Sequence, residues 1–418
     1  MLKNYRNFFT EKLEIILIFE YNRKKTIFYK RIWMIMLKRF EVKNYKNFKE
    51  RIVIDFSKVG GYQFNLECIT NQLLSKMIIY GRNASGKTNL GNALFDIKQN
   101  LFGRNFPRVE SGSYLNADSQ ETIAEFKYVF QFGNEEVVYQ YHKSSAVKLY
   151  DEELLLGNKQ IFSYNFVTET GLFENLRLLG ADTIVIERYL QARKSDDEES
   201  KNAETLSFLR WLINNTALPK DSVLLKLDMY IGGMTAITVG NIVPSIRTTI
   251  SNFFVDRLED TEELDRFETF LNRMGIECKL AVRKLPDGQN QLYFKHDILV
   301  PFFETASSGT LALTNLYQRF GLKKTVSMLF FDEFDAFYHY EMSENVVKFF
   351  KEKYAECQII MTTHNTNLMT NRLMRPDCLM ILSRQGALTA LCDATERELR
   401  EGHNLEKMYI SGEFEQYE

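Results

Sequence analysis

The sequence lacks the marks of several protein classes. Five cysteines are scattered over 418 residues, at Cys68, Cys278, Cys357, Cys378 and Cys392. None forms a C-x-x-C pair, which argues against a zinc site and a disulfide framework and suits a reducing compartment. No stretch approaches the 18 apolar residues of a membrane span, so a cytoplasmic protein without membrane partners is expected. Charge is nearly balanced, with 53 Lys and Arg against 55 Asp and Glu, so the global positive excess of a nucleic-acid binder is missing. No heptad pattern runs on for several turns, so a long coiled coil is not expected either. What remains, at 45% hydrophobic and 26% charged residues, is a globular chain with room for two or three domains.

What the chain does contain is Gly81-Arg82-Asn83-Ala84-Ser85-Gly86-Lys87-Thr88, followed by Asn89. The pattern G-x-x-x-x-G-K-[ST] is a phosphate-binding loop. Gly81 and Gly86 let the backbone curl, and the N–H groups of the curl form an anion nest. Lys87 reaches the terminal phosphates, and the Thr88 hydroxyl can ligate Mg²⁺. The apolar run Met77–Tyr80 reads as a buried strand before the loop. Leu90, Ala93, Leu94 and Ile97 fall at helical spacing after it. A helix N-terminus therefore faces the phosphates.

Taken in order, residues 1–35 are Tyr-, Phe- and Lys-rich and differ from the rest. They read as an upstream extension or start-site artefact, with a basic arm as the alternative. Strands are expected at Phe40–Tyr45, Arg51–Phe56 and around Tyr62–Cys68, with a polar turn at Asn44–Phe48. Further strands are expected at Ala124–Phe132 and Val137–Tyr141. Gln131, near the end of the first of these, is a candidate Mg²⁺ or water contact on position alone; an exposed strand glutamine is the simpler reading. Residues 165–295 read as a mostly helical insert. Within it, Asp196–Glu199 reads as a charged surface loop, and Ser207–Ile213 and Val243–Phe270 carry helical periodicity. Leu285–Gly288 is a turn before a strand at Gln291–Phe294.

Three later motifs carry chemistry. Ser307-Ser308-Gly309 begins a helical pattern, which makes either an anion site or an ordinary helix cap. Met328–Phe331 is a continuous apolar run ending in Asp332-Glu333, which places two carboxylates at the C-terminal edge of a central strand. Asp332 is the candidate Mg²⁺ ligand and Glu333 the candidate base for an attacking water. Ile359–Thr363 is another apolar strand, and His364 at its end is placed to contact a terminal phosphate. A helical pattern through Val346, Val347 and Phe350 links the two strands into a βαβ unit, hence a parallel sheet.

The order of these motifs resembles the ABC-type ATPase superfamily. Gly81–Thr88 matches Walker A, Ser307–Gly309 the signature, Asp332-Glu333 Walker B with its glutamate, Asp335 the D-loop and His364 the switch histidine. Within that superfamily the text looks most like small RecF/OLD-like AAA-type ATPases of defence systems. Asn44–Phe48, Asp332–His339, Thr362–Asn365 and Gly402–Lys407 carry that likeness. The resemblance implies an α/β fold: an ABC-type P-loop ATPase head, a mixed sheet with an antiparallel β subdomain, carrying the helical insert. Residues 36–164 and 296–418 would form its two lobes. It also implies two ATP molecules, with Mg²⁺, sandwiched in a head-to-tail homodimer. Asn83, Ala84, Ser85 and Asn89 would join the nucleotide cradle, and Ser307, Ser308, Gly309 and Asp335 would complete it. The signature lacks the second glycine of transporters, and no Gln is clearly placed for the Q-loop.

The expected function is an ATP-driven sensor or scaffold in anti-phage defence, acting with a separate toxin or nuclease as effector. A RecF-like DNA-repair clamp, with nucleic acid as partner, is the alternative, and the balanced charge weighs against it. A transporter subunit fits the long insert poorly.

Overall fold

The computed structural model describes residues 35–103, 114–181, 186–199, 204–238, 252–321 and 326–418. Residues 1–34 of the N-terminal extension and the start of the Val243–Phe270 pattern lie outside the described residues, while Ile35 already belongs to the first strand. Strands β1 (Ile35–Lys43) and β2 (Ile52–Asp55) come first. A short hairpin follows, β3 (Ile69–Thr70) and β4 (Leu73–Leu74). Strand β5 (Lys76–Tyr80) then runs into the phosphate loop and the helices α1 (Lys87–Leu94) and α2 (Asp96–Phe102). Strands β6 (Ala124–Phe132), β7 (Glu135–Ser145), β8 (Lys148–Leu156), β9 (Lys159–Asn165) and β10 (Thr170–Leu172) form a meander. Next are α3 (Ile186–Glu199), α4 (Phe208–Asn215), α5 (Val223–Gly233), β11 (Thr235–Ile237), α6 (Asn252–Arg257) and α7 (Thr261–Arg273). Strands β12 (Leu280–Lys284), β13 (Asn290–Lys295) and β14 (Leu299–Pro301) precede the helices α8 (Phe302–Thr305) and α9 (Ser308–Leu316). The chain continues through β15 (Met328–Phe331), α10 (Tyr340–Lys353), β16 (Gln358–Thr363), β17 (Leu379–Leu382), β18 (Leu388–Ala390) and α11 (Leu405–Ile410).

Two large sheets carry the molecule. One has the order β11-β15-β16-β5-β17-β18 and is parallel except for β18. Its central strands are buried along their whole length, which is why their sequences are unbroken apolar runs rather than alternations. The other sheet is antiparallel, with the order β10-β9-β8-β7-β6-β1-β2. Here the residues alternate: in β7, Val137, Tyr139, Tyr141 and Lys143 face inward. That inner face grips the helices after the phosphate loop. Tyr128 donates to the Ala93 carbonyl at 3.0 Å, and Tyr141 and Lys143 bond Asp96 at 2.9 and 3.0 Å.

The sheets are also tied at their far end. The Gln358 side chain, at the start of β16, accepts from Leu37 N at 2.7 Å and donates to Leu37 O at 2.8 Å. The Tyr230 hydroxyl donates to the same side-chain oxygen at 2.6 Å. This places Leu37, on β1, beside the N-terminal edge of the parallel sheet.

Three expectations need correction. Residues 165–295 are not only an insert, because β11 pairs in parallel with β15 as the edge strand of the main sheet. Asp196–Glu199 ends helix α3 rather than forming a loop. Tyr62–Cys68 is no strand: Asn65 takes a left-handed backbone and Leu66–Cys68 is a 3-10 turn.

Helix α4 begins at a buried carboxylate. Glu152 accepts from Tyr139 Oη at 2.8 Å, from Ser207 Oγ at 2.9 Å and from Phe208 N. Burial outweighs these donors and pushes the Glu152 carboxyl up to about 7. A carboxyl that titrates higher when folded stabilises at low pH and loses that contribution as pH rises from about 4.5 through 7. Stability should therefore fall by on the order of 2–3 kcal/mol over that window. Glu152→Gln should flatten the dependence, as read from urea midpoints at pH 5 and pH 7.5.

Candidate functional site

The phosphate loop leaves β5 at the C-terminal edge of the parallel sheet. Gly86 has φ +99°, and a Cβ there would lie 2.1 Å from Asn47 Nδ2, so only glycine fits. Gly91, one turn into α1, lets the helix lie against the Phe330 ring, which a Cβ would approach at 2.3 Å. That close approach brings Thr88 to the end of β15. Lys87 is buried, and its ammonium donates to the carbonyls of Gly81 at 2.7 Å and Arg82 at 3.2 Å. Burial draws its pKa down, against the pull of Glu333, Asp332 and Asp335.

Asp332 is the hub. Its carboxylate accepts the Thr88 hydroxyl at 2.6 Å and the Thr362 hydroxyl at 2.6 Å. The Thr362 oxygen in turn accepts from Glu333 N at 2.8 Å. Glu333 sits at φ +45°, a left-handed conformation that costs a side-chain-bearing residue roughly 1 kcal/mol or more. Asp335 accepts the Thr363 hydroxyl at 2.8 Å, and its other oxygen is buried without a partner. His364 is the first residue past β16 and is exposed; it shares a cavity with Gly81, Arg82 and Asn83.

The structure thus brings together Lys87, Thr88, Asp332, Glu333, Asp335 and His364 at one sheet edge. Asn83 and Ala84 are exposed on the loop and Ser85 is buried within it. Asn89 donates to Asn47 Oδ1 at 2.8 Å. Ser307 caps α9, accepting from Thr310 N at 3.2 Å, and Ser308 is exposed. Among the described residues, no hydrogen bond links Ser307, Ser308 or Gly309 to the phosphate loop.

Gln131 does not belong to this site. Its amide donates to the Gly133 carbonyl at the tip of the β6–β7 hairpin. It pairs with Met36, next to Leu37, whose partner Gln358 starts β16. His364 follows the other end of that strand, roughly 17 Å away at 3.3 Å per residue. Position at a strand end does not say which end of the sheet it occupies.

Two further residues, Asn47 and Thr362, belong to the site although no sequence motif marks their role. Asn47 spans the loop and its helix, donating to Ser85 O at 3.2 Å and accepting from Asn89. Asn47→Ala should cost about 1 kcal/mol for each hydrogen bond lost. It should weaken ATP binding severalfold by titration while unfolding stays cooperative.

The residues fit a Mg²⁺-bound nucleoside triphosphate. Thr88 and Asp332 offer hard oxygen donors side by side. The buried Ser85 hydroxyl lies in the cradle with no protein partner. Among the described residues no cluster of three or more His, Cys, Asp or Glu forms a metal centre, and no helix is long and apolar enough to cross a membrane.

No curated protein matches the chain. Similar solved structures include an SMC head bound to the C-winged helix domain of ScpA. It is 17% identical, with TM-score 0.46, over 84% of this chain and 96% of that one. The SMC head domain from Thermotoga maritima is 15% identical, with TM-score 0.41, over 85% and 98%. An SMC head with extended coiled coil, from Pyrococcus furiosus, is 16% identical, with TM-score 0.43, over 85% and 96%. A family model described as "AAA domain, putative AbiEii toxin, Type IV TA system" matches residues 76–370, from the first residue of β5 to past His364. That span holds the phosphate loop, the acidic strand and His364, and the chain belongs to this AAA domain family.

Proposed function

We propose that the protein binds and hydrolyses ATP as a nucleotide-gated sensor or scaffold in anti-phage defence, acting with a separate toxin or nuclease. One observation carries the ATPase part: Thr88, from the phosphate loop, and Thr362, beside His364, both donate to Asp332. Three segments far apart in sequence meet on one carboxylate. The defence context draws support from the family's description, which names a toxin and a toxin–antitoxin system.

Mg²⁺ would be held by Thr88 and Asp332 and would neutralise charge on the phosphates. Lys87 supplies the protein's cation at the loop. Glu333 orients the attacking water and takes its proton, and His364 lies across from Asn83 to meet the terminal phosphate. The exposed N-terminus of α9 at Ser308 is a surface for a second copy's nucleotide. The site is then shared between two subunits, each supplying the other's signature residues.

Mixing tests this. Lys87→Ala and Ser308→Arg should each be inactive alone. Mixed equally, they should regain about a quarter of the per-site rate, since half the dimers form at random with one intact site. No recovery, with both variants folded and dimerising, would remove the shared site. A phage-infection assay with and without the neighbouring gene products tests the defence role.

A further inference from the structure

A cavity of about 280 Å³ opens at the sheet edge beside the phosphate loop. Tyr80 ends β5, His364 follows β16 and Arg384 follows β17, so it lies where these three strands finish. Gly81, Arg82, Asn83, Thr366 and Tyr409 complete its wall. Lys87, Thr88, Asp332 and Glu333 are not part of that wall, so it is a chamber beside the reacting centre, joined to it through Gly81, Asn83 and His364.

Its chemistry is that of an oxyanion site. Arg82 and Arg384 bring two permanent cations, and guanidinium groups match phosphate oxygens well. Among the described residues Arg384 and His364 have no ion-pair partner. Arg82 is held by the Glu418 carboxylate, with Arg82 Nε at 2.8 Å. Arg384 N donates to Glu418 O at 2.9 Å, which fixes the start of the arginine against the tail.

We propose that this chamber binds orthophosphate, the anion released by the hydrolysis proposed above, and so lies on its route out of the site. The assignment rests on that ATPase reading for the source of the phosphate but not for the chemistry of the chamber. Glu418 competes with phosphate for Arg82, so the tail sets how firmly the anion is kept.

Calorimetric titration of inorganic phosphate into the full chain, nucleotide-free and loaded with ADP and Mg²⁺, tests it. The unaltered protein should bind phosphate in both states. Arg384→Gln, at an exposed position, should weaken it about tenfold or more, the worth of one charge-assisted bond. Glu418→Gln should tighten it. ATP and ADP affinities should stay within about twofold of the unaltered values. No phosphate binding, equal affinity in Arg384→Gln, or weaker binding in Glu418→Gln each overturns the proposal. A parallel loss of ATP affinity in Arg384→Gln also overturns it, by assigning the cavity to the nucleotide. Phosphate binding that depends on Arg384 in a protein that binds no nucleotide would keep the chamber and discard the ATPase reading.

Discussion

Glu333→Gln should hold ATP as tightly as the unaltered protein and hydrolyse it at least about a hundredfold more slowly, since a positioned general base contributes roughly 10²–10⁴ in rate. The substitution keeps size and shape. The bond that orients this residue runs from its main-chain N–H to Thr362 Oγ1 and survives the change. Only proton acceptance from the attacking water is removed. With bond cleavage blocked, ATP-loaded protein should also accumulate as a dimer, visible by light scattering. Phosphate-release kinetics give the rate and a fluorescent ATP analogue gives the affinity. An unchanged rate would take the base role away from Glu333.

Lys87→Ala should lower ATP affinity by about 10- to 100-fold, from the loss of a charge-assisted contact worth roughly 1.5–3 kcal/mol. The ammonium is already oriented, because it is buried and held by the carbonyls of Gly81 and Arg82. The alanine variant also leaves those carbonyls without their donor, so a small loss of thermal stability should accompany the loss of binding. Equilibrium titration with the same analogue reads the effect. Undiminished affinity would mean that the loop does not use this lysine for phosphate.

The parallel core was legible because burial on both faces writes itself as unbroken apolar runs. Met77–Tyr80, Met328–Phe331 and Ile359–Thr363 each announce a central strand, and Gly81, Asp332 and His364, the residues that follow them, mark the edge where ligands gather. Strand β11 left no such trace. Three residues cannot establish a period, and its place in the sheet comes from pairing with Leu329–Phe331. Gln131 failed for a different reason: β6 runs antiparallel to its neighbours, and a strand's direction relative to a distant loop is not a local property. At Asp196–Glu199 the charge run suggested solvent, while the good helix formers before it carry α3 through. Asn47 and Thr362 stood in plain view, but an amide or hydroxyl becomes part of a site only through what it touches.

The pair of hydrogen bonds between Leu37 and the Gln358 amide fastens the two sheets at the edge opposite the phosphate loop. Strand β1 runs about 20 Å from Leu37 to Lys43 at 3.3–3.4 Å per residue, and Asn47 lies just beyond, bonded to Ser85 and Asn89. One strand thus spans from that fastening to the phosphate loop, and with Tyr128, Tyr141 and Lys143 holding the helices after the loop, the antiparallel sheet braces the cradle from both ends.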